Sequence, residues 1–183
     1  MARKLSNLEY TLLALIAAAP ASGYALRTVF QTTLLDIYSD SPGSVYPALR
    51  RLARDGLIVG RSEKGSRRRE IFSLTSVGHA AVHDWLRSPI VARDITGANH
   101  LTTMLRLAFL SDVAPDHLAA FCREYIDALH AHIAVARRAL DDGSKLSESS
   151  VLAIELGLAD LQARETRMRQ LVPALARPRA PGR

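Results

Sequence analysis

The chain has 183 residues, 48% of them hydrophobic, enough apolar material for one medium domain or two small ones with a proper core. Aromatic residues make up only 5%, so the core must be Leu, Ala, Val and Ile, which favours packed helices over a β-sandwich. The formal charge of +6 is uneven: residues 1–87 carry 12 Lys/Arg against 7 Asp/Glu, and residues 88–183 carry 12 against 11, so the basic excess that would suit an acidic partner lies in the first half.

The chain opens with a basic start, an apolar stretch from Tyr10 to Ala19, and Ala19-Pro20-Ala21, an order that imitates a secretory signal. Asn7 and Glu9 interrupt the approach to that stretch. Ser6 and Glu9 are spaced as a capping box, S-x-x-E, which starts a folded helix. The spacing predicts a first helix from Asn7 to Ala19, with Leu8, Leu12, Leu15 and Ile16 as its apolar stripe and Pro20 as its stop. Tyr10 on this helix either touches a phosphate or packs at the edge of the core. No apolar run in the chain is long enough to span a bilayer.

A second helix follows Ser22-Gly23, with Tyr24, Ala25, Leu26, Val29 and Phe30. A third helix occupies SPGSVYPALRRLARDG, Ser41–Gly56, with Ser41 as N-cap, Pro42 in the first turn and Gly56 as a left-handed C′ residue. Then the period changes. Leu57–Ser62 and Arg68–Leu74 read as strands, joined by a Gly-containing turn. Thr75 caps a fourth helix bearing Val77, Ala81, Val82, Trp85 and Leu86, which Pro89 ends. Three helices, a two-stranded hairpin and a further helix make the winged helix-turn-helix arrangement.

The second half reads as all-helical. Leu101–Leu110 is apolar at helical spacing, Pro115–Leu140 is a longer amphipathic helix, and Ser147–Val172 is another. The single cysteine, Cys122, lies among Leu118, Phe121 and Tyr125, where buried packing fits better than redox chemistry. One cysteine allows no intrachain disulfide, in keeping with a reducing, cytoplasmic compartment. The sequence therefore divides into a winged-helix domain over residues 1–88, a helical dimerisation domain over 89–176, and a basic, disordered tail over 177–183. The overall fold class is mostly α.

On a wheel of about 100° per residue, Val45, Leu49, Leu52 and Ala53 of the third helix share one side. Gly43, Pro47, Arg50 and Arg54 lie opposite, flanked by Ser44, Tyr46 and Arg51. The major groove of DNA is about 12 Å wide and admits one α-helix. Such a helix needs an apolar back, small residues for close approach, and donors for bases and phosphates. Ser44, Tyr46, Pro47, Arg50, Arg51 and Arg54 provide that surface. Lys64, Arg67, Arg68 and Arg69 add a basic hairpin tip, suited to neutralising phosphates. A basic helix beside a basic hairpin gives two contact points on one duplex.

The segments SGYALRTVF (Ser22–Phe30), GSVYPALRRLARDGLI (Gly43–Ile58) and RRREIFSLTSVGHAAVHDWL (Arg67–Leu86) together resemble the PadR family of bacterial transcriptional regulators. The resemblance covers the first half; the second is similar in layout only, and Asp94–Phe109 departs from the more charged segment expected there. The resemblance implies a repressor that dimerises through C-terminal helices on a two-fold symmetric operator. For some members it also implies release by a small molecule such as a phenolic acid or a drug. It carries over to Tyr46, Pro47 and the basic hairpin residues; the helix arginines come from the wheel.

Dimerisation has its own argument, because one winged helix covers too few base pairs to single out a site in a genome. Val151, Ile154, Leu158, Leu161 and Met168 of the last long helix are the apolar positions available for it, or for packing within the chain. Trp85 either packs in the core or lines an effector pocket, and core packing is favoured. His79 and His83 are four apart but lack the H-E-x-x-H pattern and a third ligand, and His130 and His132 fall on different sides of a helix. No P-loop, dinucleotide glycine fingerprint or G-x-S-x-G elbow occurs, so nothing points to an enzyme, a cofactor or a metal. The alternative reading is a winged-helix protein–protein module without DNA binding. The run Arg67-Arg68-Arg69 argues against it.

Overall fold

A computed structural model describes residues 3–32, 42–62, 70–142 and 146–175. The N-terminal helix α1 (Asn7–Ala18) begins at the expected capping box. The Glu9 amide donates to Ser6 Oγ at 3.3 Å, and the Ser6 amide donates to Glu9 Oε2 at 2.9 Å. Its buried surface is broader than one stripe, since Leu13 and Ala14 are buried with Leu8, Leu12 and Ile16. The reason is tertiary: α1 packs at once against α3 (Val45–Arg54), α4 (Ser76–Arg87) and the strand β3 (Glu70–Leu74).

Two residues after α1, Ala21–Ser22 form a short strand, β1, which pairs antiparallel with β3. A two-residue strand carries no period, so it was not legible in the sequence. The sheet order is β1-β3-β2, with β2 (Ile58–Ser62) antiparallel to β3. Helix α2 (Gly23–Thr32) follows β1 directly and buries Leu26 and Phe30.

Helix α3 starts later than the wheel assumed: Pro42–Ser44 form a 3-10 turn and α-helix begins at Val45, while Ser41 lies outside the described residues. Its buried residues are Val45, Ala48, Leu49 and Leu52. Ala53 is exposed, correcting its placement on the apolar side. The buried arc is centred between Ala48 and Leu49, which leaves position 53 at the rim. The end of α3 follows the sequence signal. Gly56 adopts φ +72°, its amide donates to Ala53 O, and the Leu57 amide donates to Leu52 O. That pair of bonds is a Schellman motif.

Helix α4 is capped by Thr75, whose Oγ1 accepts from the Gly78 amide at 3.1 Å and donates to the Gly56 carbonyl at 2.7 Å. The first turn of α4 therefore lies against the chain leaving α3. Gly78 is required there, because a Cβ at that position would sit 2.0 Å from the Leu57 carbonyl oxygen. Trp85 is buried and stacks on Tyr10, with ring centroids 4.8 Å apart and planes 5° from parallel.

Beyond α4 come α5 (Gly97–Val113), α6 (Leu118–Asp141) and α7 (Glu148–Leu175); α5 and α7 are longer than their apolar patterns suggested, and α6 starts three residues later than expected, after a 3-10 turn over Pro115–His117. Contacts divide the chain into two compact units: residues 1–88 with 104–115, and 89–103 with 116–183. In the first, Arg106 of α5 is buried and donates to the carbonyls of Leu86 and Ser88, satisfying the C-terminal end of α4. In the second, α6 packs along α7. Arg164 of α7 donates to the Ile95 carbonyl at 3.0 Å, and Thr103 donates to the Asp94 carbonyl at 2.7 Å. Cys122 is buried, and burial pushes its thiol above the ordinary range. Among the described residues no helix is long and apolar enough to cross a membrane, and no group of three or more His, Cys, Asp or Glu is arranged to hold a metal.

Candidate nucleic-acid interface

The outer face of α3 carries the residues singled out from the sequence. Gly43, Tyr46, Arg50 and Arg54 are exposed, and Ser44, Pro47 and Arg51 are partly so. Tyr46 is set by α2. A Cβ on Gly23 would lie 2.8 Å from its ring, so the glycine lets the ring rest on the first turn of α2. This gives a physical reason for glycine in the S-G-Y segment. Arg54 Nε lies 3.5 Å from Asp55 Oδ1, with most of its side chain in solvent. Arg61 on β2 is exposed as the strand leaves α3. Lys64, Arg67, Arg68 and Arg69 lie outside the described residues.

The inner anchor of this face is a buried carboxylate whose second role the sequence reading missed. Glu9, 1% exposed, accepts from Arg3 Nη1 at 2.8 Å, Arg3 Nη2 at 3.1 Å and Arg51 Nε at 2.9 Å, besides the Ser6 amide. Arg3 Nη2 also donates to Asp55 Oδ2 at 2.8 Å, at the end of α3. Burial by itself would raise the Glu9 pKa, but the bonds from Arg3, Ser6 and Arg51 override it and hold the carboxyl at about 2. Glu9 therefore ties α1, α3 and the segment before α1 together. Its capping role accounted for it fully in the sequence, which hid the second one.

Tyr10 packs on Trp85 at the core, and Trp85 is core as favoured. In α7, Val151, Ile154 and Leu158 are half-buried, while Leu161 and Met168 are buried within the chain itself. The exposed apolar side chains of this helix include Leu152 and Leu156, one turn apart. On α6, His130, Ile133, Ala134, Arg137 and Arg138 line an open depression of about 280 Å³.

Residues 3–115 thus include a winged helix-turn-helix: three helices, a hairpin carrying a third short strand, and a capping fourth helix. Residues 12–84 match the transcriptional regulator PadR-like family. The chain is 31% identical over 81 residues to the negative transcriptional regulator PadR of Bacillus subtilis (strain 168). That alignment covers 43% of this chain and 44% of the relative, so it spans less than half of either. Crystal structures of Bacillus subtilis PadR are similar at low identity. The protein alone shares 19% identity with a TM-score of 0.43, covering 97% of this chain and 99% of that one. Its complex with operator DNA shares 21% with a TM-score of 0.42, covering 92% and 98%.

Proposed function

We propose that the protein is a sequence-specific transcriptional regulator that binds double-stranded DNA in the cytoplasm, as a homodimeric repressor on a palindromic operator. The observation that carries this is α3: an apolar back of Val45, Ala48, Leu49 and Leu52, and an outer face presenting Tyr46, Arg50 and Arg54. The match to the PadR-like family and the likeness to a negative regulator support the repressor reading. On this reading Ser44, Tyr46, Pro47, Arg50, Arg51 and Arg54 enter the major groove, and Lys64, Arg67, Arg68 and Arg69 hold phosphates. Residues 1–88 are the DNA-binding part and 89–176 the dimerisation and effector part, with a basic tail after them. The protein acts by binding, not catalysis.

Pairing runs through α7, with Val151, Ile154 and Leu158 at the contact and Leu161 and Met168 beneath it. On this reading a small-molecule effector, a phenolic acid or a drug-like molecule, releases the protein from DNA, and the open depression on α6 with Arg137 and Arg138 in its lining is a candidate place for a carboxylate.

Fluorescence anisotropy tests the proposal, comparing DNA from upstream of the protein's own gene with a random duplex at about 150 mM salt. Tight binding of two protomers to the upstream DNA alone is expected for a regulator of its own gene or its neighbour. No binding to either duplex, even at low salt, rejects DNA recognition and favours a protein-binding module.

A further inference from the structure

The contact between Glu9 and Arg51 has a consequence for DNA reading. Arg51 bonds the buried carboxylate through Nε, and its side chain remains 40% exposed. Guanidinium has five donors in a fixed plane, so a bond through Nε leaves the two Nη groups with their orientation set. Position 51 flanks the outer face of α3, and Glu9 belongs to α1, a helix that the core holds on several sides. The carboxylate is itself held by Arg3 and the Ser6 amide, so its position does not depend on Arg51 alone.

We infer that Glu9 is a positioning residue for DNA recognition, holding the Arg51 guanidinium by its Nε so that its Nη fork is aimed outward from α3 before the duplex arrives. The inference rests on the proposed DNA-binding function. An arginine on a flexible stem loses rotamer freedom when it contacts a base, and fixing it beforehand removes part of that cost. The device also has an unusual sign. Deleting a negative charge from a DNA-binding protein ordinarily strengthens its hold on a polyanion. Deleting this one weakens discrimination.

The test uses the full chain and a duplex that the wild-type protein selects from a random-sequence library, with a scrambled duplex of equal length and composition as reference. Circular dichroism establishes the folded fraction of each variant first. Glu9→Gln is expected to lower the ratio of selected to scrambled affinity on the order of tenfold, with scrambled binding unchanged or tighter. Arg51→Ala is expected to lower the ratio by a similar factor, and the double variant to lose no more than Arg51→Ala alone. Arg51→Lys is not expected to restore the ratio, because one ammonium cannot hold Glu9 and present a fork. A ratio unchanged in Glu9→Gln, equal losses on both duplexes, or losses that multiply in the double variant would each overturn the inference. A wild-type protein that selects no duplex overturns the proposed function and the inference with it.

Discussion

Glu9 and Gly78 show how much one residue decides in this protein. The Glu9 carboxyl sits at about 2 in the fold, against 4.5 for an ordinary glutamate. A lowered folded value contributes stability that is complete above about pH 4.5 and lost as pH falls towards 2, worth about 3 kcal/mol for a shift of this size. Urea unfolding between pH 7 and pH 3 should show this decline in the wild-type protein and a shallower one in Glu9→Gln, which should also be less stable at pH 7. An unchanged pH profile in the variant would assign the acid sensitivity elsewhere. Gly78 faces the Leu57 carbonyl with no room for a side chain. Gly78→Ala should therefore cost about 2–4 kcal/mol, since both sides of the contact are backbone and neither can swing away. A melting temperature within a degree or two of wild type would contradict that packing.

At the scale of elements, the useful observation is that α1 is a hub. Of its two polar buried residues, Glu9 is satisfied by the Ser6 amide, Arg3 and Arg51, and Thr11 by donating to the Asn7 carbonyl at 2.7 Å. The apolar residues of α1 pack against α3, α4 and β3. The Tyr10–Trp85 stack joins α1 to α4, and Trp85 is the only tryptophan, so its fluorescence reports the first unit directly. Its emission should be blue-shifted in the folded protein and move to the red on unfolding. Trp85→Ala should cost about 3–5 kcal/mol. An emission already at the solvent-exposed maximum in native buffer would refute the stack. The left-handed Gly56 ends α3 and turns the chain into β2, so Gly56→Ala is expected to cost roughly 1 kcal/mol.

For the whole molecule, the basic first half predicts binding governed by phosphate neutralisation. A complex with about 6–10 phosphate contacts should lose roughly 10³–10⁵ in affinity between about 50 and 200 mM salt. Affinity that is flat across this range would remove DNA as the partner. In α7, Leu158, at the proposed pairing contact, is half-buried, whereas Leu161 and Met168 are buried within the chain. Light scattering should therefore show Leu158→Glu shifting a dimer towards monomer. Leu161→Ala and Met168→Ala should instead lower the melting temperature, through a cost of about 2–4 kcal/mol each. Dissociation by Leu161→Ala with unchanged stability would reverse this assignment.

The sequence by itself determined what depends on neighbours along the chain. The Ser6–Glu9 box, the Thr75 cap and the left-handed Gly56 are local chemistry and were legible. So was the exposed arginine face, because helical period fixes which residues oppose Val45 and Leu52. Tertiary structure alone decided what depends on distant residues. It paired Ala21–Ser22 with Phe72 and Ile71, buried Ala48 in place of Ala53, packed α1 against α3, α4 and β3, and turned Arg51 back to a carboxylate 42 residues earlier. It also divided the apolar positions of α7 between the interior and solvent. A wheel gives the direction of a side chain from its helix, but the partner in that direction is set by packing between elements.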